Sequence, residues 1–331
     1  MAKKTAGYRM GIDLGGTKIL AAVVGPDGAI LGMVKKKTKG EAGPDGVIKR
    51  IVDTAAAAAA VAKVSLKAID GVGVGAPGPV DCETGVVYSA PNLPGWDEIP
   101  LGARLQASLG LPVRVDNDVN LGTLGEFSLG AGRGCQHMIG LFVGTGVGGG
   151  IVIDGKLYRG ARYAAGEVGH MTMQPDGPLC GCGRRGCLEA FASRTAIERV
   201  VRAGLAEGRP SILPELLVAE KDRLTSGVIK QALEREDPLM AEAVGQAQRY
   251  LGLLVANLVN ALDPEMIVFG GGVVEALGMA FVQPIQDYAL PGFLQQRHAD
   301  RIKIVPATLG DQAGVLGGAA LLGPFVAPKV Q

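Results

Sequence analysis

The sequence predicts an α/β fold built from two related halves, on the basis of one repeated pattern and one alternation. Residues 9–34 contain an apolar run, a Gly-rich turn, a second apolar run, an Asp-Gly turn and a third run. Residues 139–158 repeat this order roughly 130 residues later. An Asp-Gly pair between apolar runs is a strong hairpin signal, so each segment is predicted to be a three-stranded meander. The similarity of the two segments indicates two related lobes, although any two Gly-rich hairpins share part of this pattern.

The remaining segments alternate between strand and helix patterns, which is typical of α/β proteins. Residues 43–64 are Ala-rich with apolar positions at helical spacing, and residues 189–263 are mostly helical in pattern. Short helices are predicted over 119–130 and 311–322. The predicted buried strands cover residues 69–78, 111–118, 265–272 and 301–310.

Length and composition limit the classes of protein that the chain can be. Its 331 residues are 47% hydrophobic and 20% charged, which allows a large core and two domains or lobes. The formal net charge of +1 gives no electrostatic footprint for nucleic acid or an anionic membrane. No apolar signal-peptide core is present near the N-terminus, and the least polar stretch, 138–153, is too short and Gly-rich to span a bilayer. We therefore expect a soluble, cytoplasmic protein that binds neither nucleic acid nor membrane.

Two Gly-rich turns are candidate phosphate loops: DLGGTK, Asp13 to Lys18, and GTGVGGG, Gly144 to Gly150. Glycine lets backbone N–H groups approach an anion, and Thr17 or Thr145 adds a hydroxyl. A carboxylate such as Asp13 at a strand end can hold Mg²⁺ through water. Neither turn is a Walker loop or a dinucleotide fingerprint, because a strand follows where those motifs require a helix. A plain hairpin turn is the alternative interpretation.

The segment VDNDVN, Val115 to Asn120, places two carboxylates at a predicted strand end. A carboxylate there can orient an alcohol and accept its proton, which is the usual task of such a group in phosphoryl transfer. Chemistry alone allows either Asp116 or Asp118 in this role. Alternatively, Asp116 or Asn117 simply caps the following helix.

Most of the chain's cysteines lie in one short loop. His170, Cys180, Cys182 and Cys187 have the spacing H-x9-C-x-C-x4-C, and three thiolates with one imidazole suit a closed structural Zn²⁺ site. The alternative is a set of three reduced, buried thiols. Glu167 precedes the loop and Glu189 follows it. Carboxylates and imidazole accept hydrogen bonds from vicinal hydroxyls, so the metal is expected to shape a polyol-binding wall without taking part in chemistry.

The motifs, taken together, resemble the ROK (repressor, open reading frame, kinase) family over essentially the whole chain. DLGGTK, GVGAPGPVD, PNLPGW, NDVN, GTGVGGG, EVGH, CGCGRRGCLE and VFGGG occur in the family's order and spacing. The resemblance implies the duplicated actin-like/hexokinase-like α/β ATPase fold, with two lobes around a cleft that close on substrate. It further implies a small lobe of residues 1–118 that the last helix, about 311–325, rejoins, and a large lobe of residues 119–310 that carries the zinc loop 170–187.

The resemblance also implies roles for individual residues. Asp118 matches the catalytic base, and His170 is expected to bind sugar through one ring nitrogen and Zn²⁺ through the other. The substrate-binding positions are Asn117, Glu167, His170, Glu189 and Gly78. The positions near ATP and Mg²⁺ are Asp13, Gly15, Gly16, Thr17, Lys18, Thr145, Gly146, Gly270, Gly271 and Gly272. The metal ligands are His170, Cys180, Cys182 and Cys187.

Family members include sugar kinases and sugar-responsive repressors. Because DLGGTK begins at Asp13, no helix-turn-helix is expected ahead of it, and both phosphate loops look intact. The resemblance therefore favours an ATP-dependent hexose 6-kinase, closest to the glucokinases, that forms a homodimer or homotetramer. Kinases for N-acetylglucosamine, N-acetylmannosamine, fructose, mannose or allose remain alternatives, as do a non-catalytic sugar sensor and polyphosphate as the donor.

Overall fold

The computed structural model describes residues 7–90 and 92–325. Residues 1–6 of the predicted small lobe and Pro91 of the PNLPGW segment lie outside the described residues. The strands are β1 Tyr8–Leu14, β2 Lys18–Val24, β3 Ile30–Lys37, β4 Ile69–Ala76, β5 Val80–Asp81, β6 Val86–Ser89, β7 Asp97–Ile99, β8 Val113–Asn117, β9 Met138–Val143, β10 Val147–Ile153, β11 Lys156–Leu157, β12 Met266–Gly270 and β13 Lys303–Pro306.

The α-helices lie between groups of strands, and five of them follow one another within residues 189–262, as the mostly helical pattern of 189–263 predicts. They are α1 Gly43–Ala62, α2 Leu101–Leu109, α3 Asp118–Leu129, α4 Glu189–Ala192, α5 Arg194–Ala206, α6 Leu213–Ala219, α7 Ser226–Glu234, α8 Pro238–Leu262, α9 Gly272–Leu277, α10 Met279–Ala289 and α11 Ala313–Ala320. Short 3-10 helices cover Gly40–Ala42, Leu66–Ala68, Val168–His170, Leu290–Gly292, Ala299–Arg301 and Gly310–Gln312. Among the described residues, no helix is long and apolar enough to cross a membrane.

Two five-stranded sheets have the same strand plan, which confirms the predicted duplication. The first has the order β3-β2-β1-β4-β8, and the second has the order β11-β10-β9-β12-β13. In the first, β1 pairs antiparallel with β2 and parallel with β4. In the second, β12 lies parallel to both β9 and β13, and β11 pairs antiparallel with β10. A small sheet, β5-β6-β7, lies outside this plan, and the sequence patterns do not predict it.

The described residues form two compact units, each with its own apolar core. The first contains 7–134, 150–166 and 311–325, and the second contains 135–149 and 167–310. The first unit therefore extends beyond the predicted boundary at residue 118 and also includes the segment 150–166. The physical reason is packing, because α3 lies directly against α11, and α11 lies against β1 and β4.

Glycines allow this packing in the first unit. A Cβ at Gly317 of α11 would lie 1.7 Å from the carbonyl oxygen of Leu121 in α3. A Cβ at Gly11 of β1 would lie 1.7 Å from the Val315 carbonyl oxygen. Backbone atoms thus touch backbone atoms where α11 meets the sheet and α3, and no larger side chain fits without displacing them.

Candidate active site

The first predicted phosphate loop is a tight hairpin between β1 and β2. The Gly15 N–H donates to the Lys18 carbonyl at 2.9 Å, and the Thr38 hydroxyl donates to the Gly15 carbonyl at 2.7 Å. Asp13 precedes this turn in β1. Burial raises the pKa of Asp13 to about 6, with Lys18 opposing the shift and Asp311 adding to it. A carboxylate that is costly to ionise without a partner is a good candidate for holding a cation.

Lys18, a predicted phosphate-binding residue, is paired within the first unit. Its Nζ lies 2.5 Å from Asp311 Oδ1, and Lys35 Nζ lies 3.1 Å from Asp311 Oδ2. The hydrogen bond from Lys18 is the main cause that lowers the pKa of Asp311. Asp311 was not among the predicted site residues. Its position at the start of the predicted last helix was the available sequence signal for a site residue. That signal could not identify Lys18 as its partner, because Asp311 lies 293 positions away from Lys18 in the chain.

The structure distinguishes the three polar residues of the VDND segment. Asn117 caps α3: its Oδ1 accepts from the N–H groups of Val119 at 2.9 Å and Asn120 at 3.1 Å. The Asn117 side-chain amide donates to the Gly78 carbonyl at 3.1 Å, which joins two of the predicted sugar-binding residues. Asp116 is buried and ion-paired with Arg159. Asp118 is half-buried at the first position of α3, where the helix dipole favours a carboxylate.

The second predicted phosphate loop joins β9 to β10 in the second unit. Thr145 Oγ1 accepts from Arg194 Nη2 at 2.9 Å, and the Thr195 hydroxyl donates to the Thr145 carbonyl at 2.8 Å. Glu189, the predicted sugar ligand, accepts from the Val147 N–H through Oε2 at 3.0 Å. Arg194 was not among the predicted residues, because a lone Arg at a helix start carries no distinctive pattern.

The predicted metal ligands come together in the second unit. One ligand atom each from His170, Cys180, Cys182 and Cys187 lies within 4.8 Å of every other. Cys182 Sγ is 3.7 Å from Cys187 Sγ, and Cys180 Sγ is 3.8 Å from His170 Nδ1. Tetrahedral zinc with bonds near 2.3 Å places its sulfur ligands about 3.8 Å apart, so the arrangement fits Zn²⁺.

Local backbone geometry explains how the zinc-loop residues converge. Gly186 has φ of 75°, and a Cβ there would lie 1.6 Å from the Gln174 carbonyl oxygen. Only glycine fits this turn. The Arg184 N–H donates to Cys182 and is the main cause that lowers the pKa of that thiol to about 6, whereas burial raises the pKa of Cys180 to about 12. A thiol such as Cys180 gives up its proton when a metal binds.

The other predicted residues lie at element ends. Glu167 is exposed and immediately precedes the 3-10 helix Val168–His170. His170 directs Nδ1 towards Cys180, while Glu189 Oε1 accepts from Cys180 Sγ at 3.5 Å. Glu189 therefore connects the cysteine loop to the second phosphate loop. Gly270 ends β12, Gly271 has φ of 88° and Gly272 begins α9, as expected of a strand-to-helix turn.

The paired meander sheets, each followed by two parallel strands, define the duplicated actin-like/hexokinase-like α/β ATPase fold. A family model described as "ROK family" matches residues 9–323. A glucokinase from Halalkalibacterium halodurans is 39% identical over 320 residues, covering 95% of this chain and 94% of the relative. The chain belongs to the ROK family.

Solved structures and relatives show the range of this family. A ROK glucokinase from Streptomyces griseus, crystallised with glucose and AMPPNP, has a TM-score of 0.81 and 34% identity, covering 95% of this chain and 99% of that one. A xylose repressor from Caldicellulosiruptor bescii is 37% identical over 258 residues, covering 77% of this chain and 63% of the repressor. The family includes both kinases and repressors, so the site residues must decide between these classes.

Proposed function

We propose that the chain is an ATP-dependent hexose 6-kinase that converts glucose and ATP to glucose 6-phosphate and ADP. One observation carries the proposal: Asp118 and Asp116, which chemistry alone leaves equivalent, lie in different environments. Both oxygens of Asp116 accept hydrogen bonds within the first unit, from Arg159 on one side and from Asn117 and Asn120 on the other. Asp118 is half-buried at the first position of α3, where its Oδ1 accepts from the Val119 N–H at 2.9 Å, and this position at the start of the helix supports its role as the base.

In the proposed reaction, Asp118 accepts the proton of the sugar 6-hydroxyl. That oxygen forms a bond to the γ-phosphorus as the bond from this phosphorus to the bridging oxygen breaks, and ADP leaves with the electron pair. The half-buried carboxylate orients the hydroxyl as well as accepting its proton. Gly16, Thr17, Thr145 and Gly146 donate to phosphate oxygens. When bound near Asp13, Mg²⁺ neutralises charge on the phosphates.

In the first unit, Asn117 and Gly78 are the sugar-binding residues of our proposal. In the second unit, the proposed sugar-binding residues are Glu167, His170 and Glu189. His170 offers Nε2 to a hydroxyl because its Nδ1 faces the cysteine set. Cys180, Cys182, Cys187 and His170 would hold Zn²⁺, which would keep this sugar-binding segment of the second unit in place and supply no chemistry of its own. Gly15, Lys18 and Gly270 to Gly272 complete the nucleotide site.

We further propose that the protein acts in the cytoplasm as a homodimer or homotetramer. The charge balance, with a net charge of +1, supports a freely dissolved enzyme acting on small molecules. Light scattering of the purified protein tests the oligomeric state.

The first experiment follows ADP release by purified protein with Mg-ATP and a panel of glucose, other hexoses, N-acetylhexosamines and no sugar. We expect strong turnover with glucose. A preference for an N-acetyl sugar would support the kinase activity but change the proposed substrate from glucose to that sugar. Sugar binding without turnover would favour the sensor class represented by the xylose repressor, or a donor such as polyphosphate.

The second experiment tests the base. We expect Asp118→Ala to reduce kcat by at least about 1,000-fold while glucose affinity changes little, because the base acts mainly in the transition state. Asp45→Ala is a matched control, since Asp45 also lies in the first turn of a helix but is exposed and paired with Arg104. Turnover by Asp118→Ala within about tenfold of the native rate would show that another residue is the base.

A further inference from the structure

Asp116 is the centre of a hydrogen-bonded network beneath the start of α3. Its side chain is only 3% exposed. Oδ2 accepts from Arg159 Nε at 2.7 Å and lies 2.6 Å from Nη2 of the same guanidinium. Oδ1 accepts from the Asn117 N–H at 2.8 Å and from Asn120 Nδ2 at 3.0 Å. Removing one partner of a buried ion pair is strongly destabilising, and Arg159 is the cation among the partners described.

The network holds the backbone on both sides of Asp118. Asn117, which precedes it, donates its side-chain amide to the Gly78 carbonyl and caps α3 through its Oδ1. Asn120, two residues after it, bonds to Asp116 through its side chain and to Asn117 through its backbone. A shift of Asp116 would therefore move the segment that carries Asp118.

We propose that Arg159 is a positioning residue for phosphoryl transfer, acting through Asp116 on the orientation of Asp118. This inference rests on the proposed function, in which Asp118 is the base. Arg159 comes from the segment after β11, far from VDND in sequence, yet both belong to the first unit. Its Nε and Nη2 converge on one carboxylate oxygen, Oδ2, and a lysine has a single nitrogen to place there.

A cavity beside this ion pair makes the proposal testable by chemical rescue. The cavity has a volume of about 530 Å³, and both Arg159 and Asp116 line it. A guanidinium ion from solution can therefore reach the space that a truncated Arg159 side chain leaves. Arg114 lines the same cavity, but its recorded hydrogen bond is to the Leu321 carbonyl at 3.2 Å, so it provides a matched control.

The experiment compares Arg159→Ala, Arg159→Lys and Arg114→Ala in the ADP-release assay, with and without millimolar guanidinium. We expect Arg159→Ala to lower kcat about 100-fold, since misplacing a catalytic group by an ångström has an effect of this size. The KM values for glucose and ATP should stay within about threefold, and guanidinium should restore kcat at least about fivefold. Arg159→Lys should retain intermediate activity, and Arg114→Ala should match the native enzyme with no response to guanidinium.

The double variant Asp118→Ala/Arg159→Ala separates this inference from the proposed function. If Asp118 is the base, guanidinium gives no rescue in the double variant. Activity retained by Asp118→Ala alone would overturn the proposed function. Native kcat in Arg159→Ala, or an equal loss in Arg114→Ala, would overturn the positioning role and leave the proposed function intact. Should Arg159→Ala fail to fold by circular dichroism, Arg159→Lys decides: a kcat equal to the native value overturns the proposal, and a selective fall in kcat supports it.

Discussion

The two phosphate-loop hairpins have the same strand plan but different partners. In the first unit, Lys18 after the turn pairs with Asp311, and Asp13, which precedes the turn, is half-buried. In the second unit, the turn residue Thr145 accepts from Arg194, and the Val147 N–H is held by Glu189. The first hairpin presents a carboxylate suited to a cation, whereas the second presents a hydroxyl and a guanidinium suited to an anion.

The difference shows what the duplicated backbone fixes and what it leaves open. The two sheets have the same strand order, so the first turn follows β1 and the second turn follows the corresponding strand, β9. The chemistry at each turn comes from a segment outside the meander. The segment that leads into α11 supplies Asp311, and the starts of α4 and α5 supply Glu189 and Arg194. The two hairpins should therefore respond to different substitutions.

The largest effect that separates the hairpins is expected from Asp13→Asn. Removing the carboxylate that we propose supports Mg²⁺ should lower kcat/KM for Mg-ATP about 100-fold or more and raise the Mg²⁺ concentration needed for half-maximal rate. ADP release as a function of Mg²⁺ measures both. Asp27→Asn, in the next turn of the same meander, should have no effect. An unchanged Mg²⁺ dependence in Asp13→Asn would place the metal elsewhere.

Loss of zinc should disturb the second hairpin, because Glu189 joins it to Cys180. We expect Cys182→Ser to reduce bound zinc well below one equivalent per chain and turnover by about 10–100-fold. Metal analysis and the ADP assay check this prediction. Cys135→Ser, at a cysteine outside the cluster, is the control. Native protein with under about a tenth of an equivalent of zinc and intact activity would rule out a structural metal.

A smaller effect is expected from the second turn itself. Thr145→Val removes the hydroxyl that accepts from Arg194, so KM for ATP should rise about tenfold with little change in kcat. Thr145→Ser keeps the hydroxyl and should behave like the native enzyme. An equal rise in both variants would show that the methyl group, not the hydroxyl, matters.

The smallest effect concerns stability and pH. The pKa of native Asp13 is about 6, above its ordinary 3.8. The native protein thus holds this proton to higher pH than the unfolded chain does. As the pH rises from about 4 to about 6, the native protein therefore loses stability relative to the unfolded chain. Without Mg²⁺ or nucleotide, Asp13→Asn should be about 1–2 kcal/mol more stable than the native protein at pH 8 and nearly equal to it at about pH 4.

Urea unfolding at several pH values measures this difference. Asp27→Asn, whose carboxylate is exposed, should show a constant difference from the native protein. A constant difference for Asp13→Asn as well would mean that burial does not govern the Asp13 carboxylate.

Local patterns were sufficient to predict much of the fold. Apolar runs between Gly and Asp-Gly turns predicted the β1–β3 and β9–β11 meanders, because hairpin turns are specified within a few residues. The cysteine spacing predicted the convergence of His170 with Cys180, Cys182 and Cys187 for the same reason. The strands of the small sheet, two to four residues long, carry too little periodicity to be predicted.

Contacts between distant segments were beyond local patterns. Arg159 with Asp116, Lys18 with Asp311, and Arg194 with Thr145 each join charged or polar residues that have many equivalent partners in the sequence. The extent of the first unit depends on a contact of the same kind, in which α3 lies against α11. Tertiary packing, which local propensity does not encode, fixes these pairs.

The glycine contacts of α11 have a consequence for folding during synthesis. β1, β4 and α3 emerge early, but the helix that covers them, with Gly317 against Leu121, is made some 190 residues after α3 begins. Residues 167–310 are complete by then, so we expect the second unit to reach its native packing first. Contacts of such high sequence separation slow folding and prolong exposure of apolar surface. The half of the protein that is made first is therefore the half that is finished last, and its nascent chain is the one most in need of chaperones.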